Sequence, residues 1–394
     1  MSRRRCPLYS RLLVISLTAL AAGLGAAGPG AAHERLDRYL FVPNRASADV
    51  AVIDTARDEV VARISVGRVP HQVIVSARLG KLVASNTADD TISIVALDGY
   101  RTVATLRLDA EPEHMELSPD GTLLAVGNIG AGTVSFVSLA ENRETARVAG
   151  LFQPHNLTFN RDGSLLYVAN LGADHVSVVD VARAAVVAEI PVAEPTPLAA
   201  KEGTAGAEYQ GIINVTATPD RRLGFAAHGE GNTLAVIDLD ARKKVRDLAL
   251  GELPWRAYAS ADGRTMLVPN NGDKTVSVIS TDSLRVIATL PGAADMTGVN
   301  GDGAGATAFV ISRGENKVVV LDLAAMARAG EIALPGTPET GVTTPDGRKL
   351  YIALSDTGKV AVIDVAARKL IKTIDDVGAE PWGATMVGAR NYCH

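Results

Sequence analysis

Polar and hydrophobic residues alternate in short runs along most of the chain. In HVSVVD ending at Asp180, Val176 and Val178 fall on one face of an extended segment and Ser177 on the other. A period of two is the pattern of a β-strand. Other runs, such as VVARISV over residues 60–66, are rich in the β-branched residues that strands favour. One run returns at a fixed interval: YLFVPN ending at Asn44, LVASN at Asn86, LLAVGN at Asn128, LLYVAN at Asn170, LGFAAH at His228, TMLVPN at Asn270, TAFVIS at Ser312 and LYIAL at Leu354. The interval is 42 residues at every step except from Asn170 to His228, where it is 58, an insertion of 16. A fixed period of this length, with several short strands per unit, predicts a β-propeller.

Each unit reads as four strands. Strand A follows a G-x-x-P element, as in GRVPHQVIV from Gly67, and ends in a tight turn such as SPDG over residues 118–121. The turn recurs as NRDG from Asn160, TPDR from Thr218, SADG from Ser260, NGDG from Asn300 and TPDG from Thr344. Asp and Gly there suit a type I turn closed by a residue at positive φ. Strand B is the repeated element, strand C the alternating one and strand D the β-branched one. The chain enters at strand B near Tyr39 and finishes on a lone strand-A signal, EPWGATM from Glu380. Eight four-stranded blades result if that last strand joins the first B, C and D, which leaves no open sheet edge. Seven blades is the alternative, and it leaves one repeat unplaced. The expectation is a single all-β propeller domain over residues 33–394.

Residues 1–32 follow another pattern. Arg3, Arg4, Arg5 and Arg11 precede or adjoin an apolar run from Leu12 to Leu24, and small residues follow up to Ala32. This predicts a secretory signal peptide, because the run is too short and too rich in Ala and Gly for a membrane span. A periplasmic or secreted protein is expected, with no transmembrane span once the leader is removed. Loss of the four leader arginines takes the formal net charge from −5 to −9, which excludes a broad nucleic-acid footprint. Of the two cysteines, Cys6 lies in the leader and Cys393 stands alone, so no intramolecular disulfide is expected.

The elements LLYVAN, HVSVVD, TVSVIS from Thr275, LAVID ending at Asp238 and VAVID ending at Asp364 resemble the YVTN-type β-propeller repeat over nearly all of residues 33–394. The resemblance implies the fold and says little about activity, since that family includes surface proteins, periplasmic proteins and enzymes. An eight-bladed count is also similar to the haem d1-binding propellers of cytochrome cd1 nitrite reductases and their maturation proteins. That more distant resemblance implies a tetrapyrrole as one candidate ligand. The chain has no C-x-x-C-H, so a covalent c-type haem is not expected.

In a propeller, strand A lines the central channel, and the D–A and B–C connections share one face. The histidines fall near that rim. His71 and His155 start strand A in the second and fourth blades, Glu113 holds the same position in the third with His114 beside it, and His228 replaces the repeated Asn in the fifth. Neutral imidazoles gathered in this way suit a transition metal or the iron of a haem d1-like tetrapyrrole; the alternative is that all four are hydrogen-bonded loop-end residues. Trp255 and Trp382 also start strand A and offer a wall for a flat ligand, Arg256 offers a partner for a carboxylate, and Tyr209 is the one aromatic in the inserted segment AEPTPLAAKEGTAGAEYQ. The recurring Asn44, Asn86, Asn128, Asn170 and Asn270 are expected to bond neighbouring turns, and Asp54, Asp180, Asp238, Asp322 and Asp364 to form turns.

No Ser-His-Asp arrangement, phosphate loop or dinucleotide fingerprint stands out. The expected role is therefore a module, monomeric in form, that binds a periplasmic protein or a small molecule. Cofactor handling or redox chemistry at the channel mouth is the alternative. A lactonase-like hydrolase is a third reading, resting on Glu113, Glu339 and Glu380 near the strand-A starts.

Overall fold

The computed structural model describes residues 36–193 and 211–389. The expected signal peptide, the inserted segment with Tyr209, and Cys393 lie outside the described residues. The alternating runs form eight antiparallel sheets of four strands each. Counting from the channel outward, blade 2 runs Pro70–Ser76 (A), Lys81–Asn86 (B), Thr91–Ala96 (C) and Arg101–Arg107 (D). Blade 3 runs Pro112–Leu117, Leu123–Asn128, Thr133–Ser138 and Arg143–Val148. In blade 1 the innermost strand is Thr385–Met386, which pairs antiparallel with Tyr39–Asn44 through Leu40 with Met386 and Phe41 with Thr385. The C-terminal strand thus closes the ring, as expected.

Closure is reinforced between blades 8 and 1. The Lys349 ammonium lies 2.7 Å from Asp58, and the Tyr351 hydroxyl donates to the same carboxylate. Among the described residues, helical structure is confined to two short 3-10 turns, Leu36–Arg38 and Thr87–Asp89. None is long and apolar enough to cross a membrane.

Eight hydrophobic clusters make the core, each shared by two adjacent blades. Phe41, Val50 and Val52 of blade 1 pack on Val73 and Leu82 of blade 2, for example. Strands B and C are sandwiched between neighbours and are buried on both faces, whereas strand D alternates exposed and covered positions at the outer rim. The alternation in strand C therefore separates two kinds of interior. Val176 and Val178 enter an apolar cluster, while Ser177, equally buried, accepts a hydrogen bond from the Asn170 amide at 2.9 Å.

That bond belongs to a repeated device. Asn86, Asn128 and Asn270 each donate to a Thr and a Ser of strand C at 2.9–3.0 Å. The amides brace their own blade, and Asn86 also accepts from the Gly67 N–H. Here lies the reason for the glycine of the G-x-x-P element: a Cβ on Gly67 would sit 2.6 Å from the Asn86 side chain. The strand-C aspartates cap turns, as expected; Asp238 accepts the N–H groups of Asp240 and Ala241.

Candidate functional site

A proline opens strand A in several blades and pairs with the last residue of strand B: Pro70 with Asn86, Pro112 with Asn128, Pro154 with Asn170. Directly after it the register shifts, between Pro70 and Val73, Pro112 and Met115, and Pro154 and Leu157. Residues in a bulge leave the ladder, and bulges re-aim side chains beside functional sites. The pairs released here are His71 and Gln72, Glu113 and His114, His155 and Asn156.

Three of the four predicted histidines meet. The rings of His71 and His114 have centroids 4.9 Å apart, and those of His114 and His155 are 4.0 Å apart. Glu113 lies among them, with one carboxylate oxygen 3.4 Å from His71 Nδ1 and the other 3.9 Å from His114 Nδ1. One ligand atom from each of Glu113, His114 and His155 falls within 4.8 Å of the others. His155 Nδ1 is 2.9 Å from the Ile213 carbonyl oxygen. A carbonyl only accepts, so that nitrogen carries the proton and Nε2 carries the lone pair of the neutral ring.

Enclosure in protein pushes the Glu113 carboxyl up to about 7, against the opposing pull of the Arg45 guanidinium. Arg45 itself lies 4.1 Å over the ring of Trp382, and Trp382 is 6.2 Å from His71. Trp382 therefore lies beside the cluster, and Arg45, from the B–C turn of blade 1, is a neighbour that the sequence reading missed.

His228 is not brought into this group. Its Nε2 is 2.7 Å from Asp174 Oδ1 and its Nδ1 accepts the Gly231 N–H at 2.8 Å. It holds the asparagine's place in blade 5 but bonds other partners, Asp174 of blade 4 and the B–C turn of its own blade. Trp255 is half-buried at the start of strand A in blade 6. Arg256 is buried and turns into the channel below the mouth, 5.8 Å from the Tyr258 ring. Of the other carboxylates weighed for hydrolysis, Glu339 is engaged by Ser355 at 2.6 Å and Arg313 at 3.5 Å, and Glu380 is half-buried beside Arg45.

A family model described as YNCE-like beta-propeller matches residues 74–389. Over 121 residues the chain is 30% identical to Seven-bladed beta-propeller protein Rv1057 of Mycobacterium tuberculosis, a stretch covering 29% of this chain and 31% of that one. The match thus spans about a third of that relative. Among solved structures, the dihydro-heme d1 dehydrogenase NirN in complex with DHE superposes with a TM-score of 0.71 at 16% identity, covering 90% of this chain and 76% of that one. Apo AztD from Citrobacter koseri superposes with a TM-score of 0.67 at 14% identity, covering 90% and 98%. Kuenenia stuttgartiensis hydrazine synthase gives 0.56 at 20% identity, covering 75% and 96%. At such identities the structural likeness is one of fold. With the repeat, the closed ring and a family match running from residue 74 to 389, the chain belongs to the YNCE-like β-propellers.

Proposed function

We propose that this chain is an exported propeller serving as a binding module, and that its channel mouth takes a transition-metal ion through Glu113, His114 and His155. The observation that carries the reading is the approach of their ligand atoms to within 4.8 Å. Imidazole nitrogen and carboxylate oxygen are the donor set of zinc and related divalent ions. Donors about 2.1 Å from a tetrahedral ion lie roughly 3.4 Å apart, so capture asks the three side chains to draw in by about an ångström. The His155 bond to Ile213 fixes its ring in the way metal-ligating imidazoles are usually held. His71, beside Glu113, supplies a further donor at the rim. Export is supported by the arginines and apolar run of residues 1–32.

A second reading has its own support. Trp382 offers a flat wall for a macrocycle, Arg45 a cation for its carboxylates and His71 a nitrogen for its iron, the parts a tetrapyrrole site needs. NirN, of the same fold, was solved with DHE.

Both are tested by purifying the full chain from the periplasm of a host that supplies tetrapyrroles, recording its absorption spectrum, and titrating the stripped protein with Zn(II) and Cu(II). One tight site that disappears in His114→Ala and His155→Ala is the expected result. An intense visible band lost with His71 would favour the tetrapyrrole. Retention in the cytoplasm would overturn export, and weak metal binding unchanged by these substitutions would overturn the metal site.

A further inference from the structure

Below the histidines lies a cavity of about 370 Å³ that reaches the A–B turn of blade 5 at Thr218, Pro219 and Arg221. Its polar lining includes Gln72, Glu116, Asn156, Thr158, Arg221 and Arg256. Two guanidiniums and one carboxylate are the charged groups among the described lining residues, an excess of positive charge inside a chain whose net charge is −5.

Arg221 reaches this cavity from an unusual position. In five equivalent A–B turns the closing residue is a glycine, Gly121, Gly163, Gly263, Gly305 or Gly347, with φ of 71–74°. In blade 5 it is Arg221, held in the same left-handed region at φ 53°. An L residue there costs on the order of 1 kcal/mol relative to glycine. The strained backbone sends the side chain across the ring. Its Nη1 donates to the Phe159 carbonyl of blade 4 at 2.8 Å, and its Nη2 donates to Glu116 of blade 3 at 3.0 Å. Arg256, from blade 6, faces the same carboxylate. A quarter of the Glu116 side chain meets channel water.

We infer that this lower chamber is a binding site for a small carboxylate anion, gripped by Arg221 and Arg256, with Glu116 as the internal carboxylate that occupies the cation when no ligand is present. Planar guanidinium forks match carboxylates in two-point contact. The Asn156 and Gln72 amides on the wall supply further polar partners; Gln72 turns its oxygen toward the Met115 N–H, which presents its amino group on the other side. The cavity has room for a short dicarboxylate. The site is independent of the metal site above, since it uses a different layer of the channel and opens on the other face.

The test is calorimetric titration of metal-free full-length protein with succinate at low ionic strength, with sulfate as competitor. Saturable one-site binding is expected, weakened about 10- to 100-fold in Arg256→Gln, the loss of a charge-assisted hydrogen bond. Glu116→Gln removes the internal competitor and is expected to bind succinate more tightly than the parent, a gain that a misfolded variant cannot show. The inference is overturned if neither the parent nor Glu116→Gln binds succinate, if folded Arg256→Gln binds as well as the parent, or if sulfate competes on equal terms, which would mark a non-selective anion trap.

Discussion

At the ends of the B strands, Asn86, Asn128 and Asn270 make the same pair of hydrogen bonds to a Thr and a Ser of their own blades. Across the ladder, at the starts of the A strands, His71, Glu113, His155, Trp255 and Glu339 have unlike surroundings. The first ring repeats where an amide braces strand B against strand C; Ser312 and Leu354 hold the place in blades 7 and 8 without that pair of bonds. The second ring varies because the bulge after the proline frees its side chains from the ladder, so the blade tolerates any residue there. His228 shows how far position outranks residue type. Placed in the first ring, an imidazole is tied to Asp174 and the Gly231 N–H; placed in the second, imidazoles form a cluster with Glu113.

Substitutions that cross between the rings give the sharpest test. His114→Ala or His155→Ala is expected to weaken metal binding at least 100-fold, whereas His228→Ala leaves it within about twofold, as read by competition with a chelator of known affinity; equal losses at all three would erase the distinction.

Glu113→Gln has two expected effects of opposite kind. The folded carboxyl is raised from 4.5 to about 7, so the stability tied to its protonated form is present below pH 4.5 and lost as pH rises through about 7. In metal-free protein above pH 7 the ionised group therefore destabilises the fold by up to about 3 kcal/mol. The variant should melt several degrees higher than the parent at pH 8 and at the same temperature at pH 4, while losing the metal. Identical melting curves at pH 8 would mean that the neighbouring imidazoles or Arg45 already neutralise the carboxylate.

His228→Ala leaves Asp174 and the Gly231 N–H without their bonds and is expected to lower stability by about 1–3 kcal/mol. His228→Asn, which restores the repeat, should lose less than half of that; thermal melts of the two decide whether the position is a brace. The smallest effect belongs to Arg221→Gly. Relief of the left-handed strain and loss of the Phe159 and Glu116 bonds nearly cancel, leaving stability within about 1 kcal/mol of the parent, while succinate affinity falls. A large loss of stability would instead make Arg221 a structural strut.

Much of this was readable without coordinates. The 42-residue interval implied the blades, the lone strand-A signal implied the closure, and the recurrence of the asparagines marked them as structural. Departures from the repeat picked out His71, His155, Trp382 and Arg256. The turn TPDR departs from it just as clearly, and its arginine passed unnoticed because a turn residue draws attention only once φ is known. Arg45 carried no such signal, being one of several arginines in exposed turns.

The chain's own periodicity, then, determined the fold, the number of blades and the face on which variable residues gather, because strand pairing and ring closure follow from short-range alternation and a constant repeat length. Which of those residues meet was settled only by the tertiary structure. Adjacency around a channel depends on blade order, on the bulge that lets Glu113 and His114 point inward together, and on side-chain reach across two or three blades, and none of these is written in the spacing along one strand.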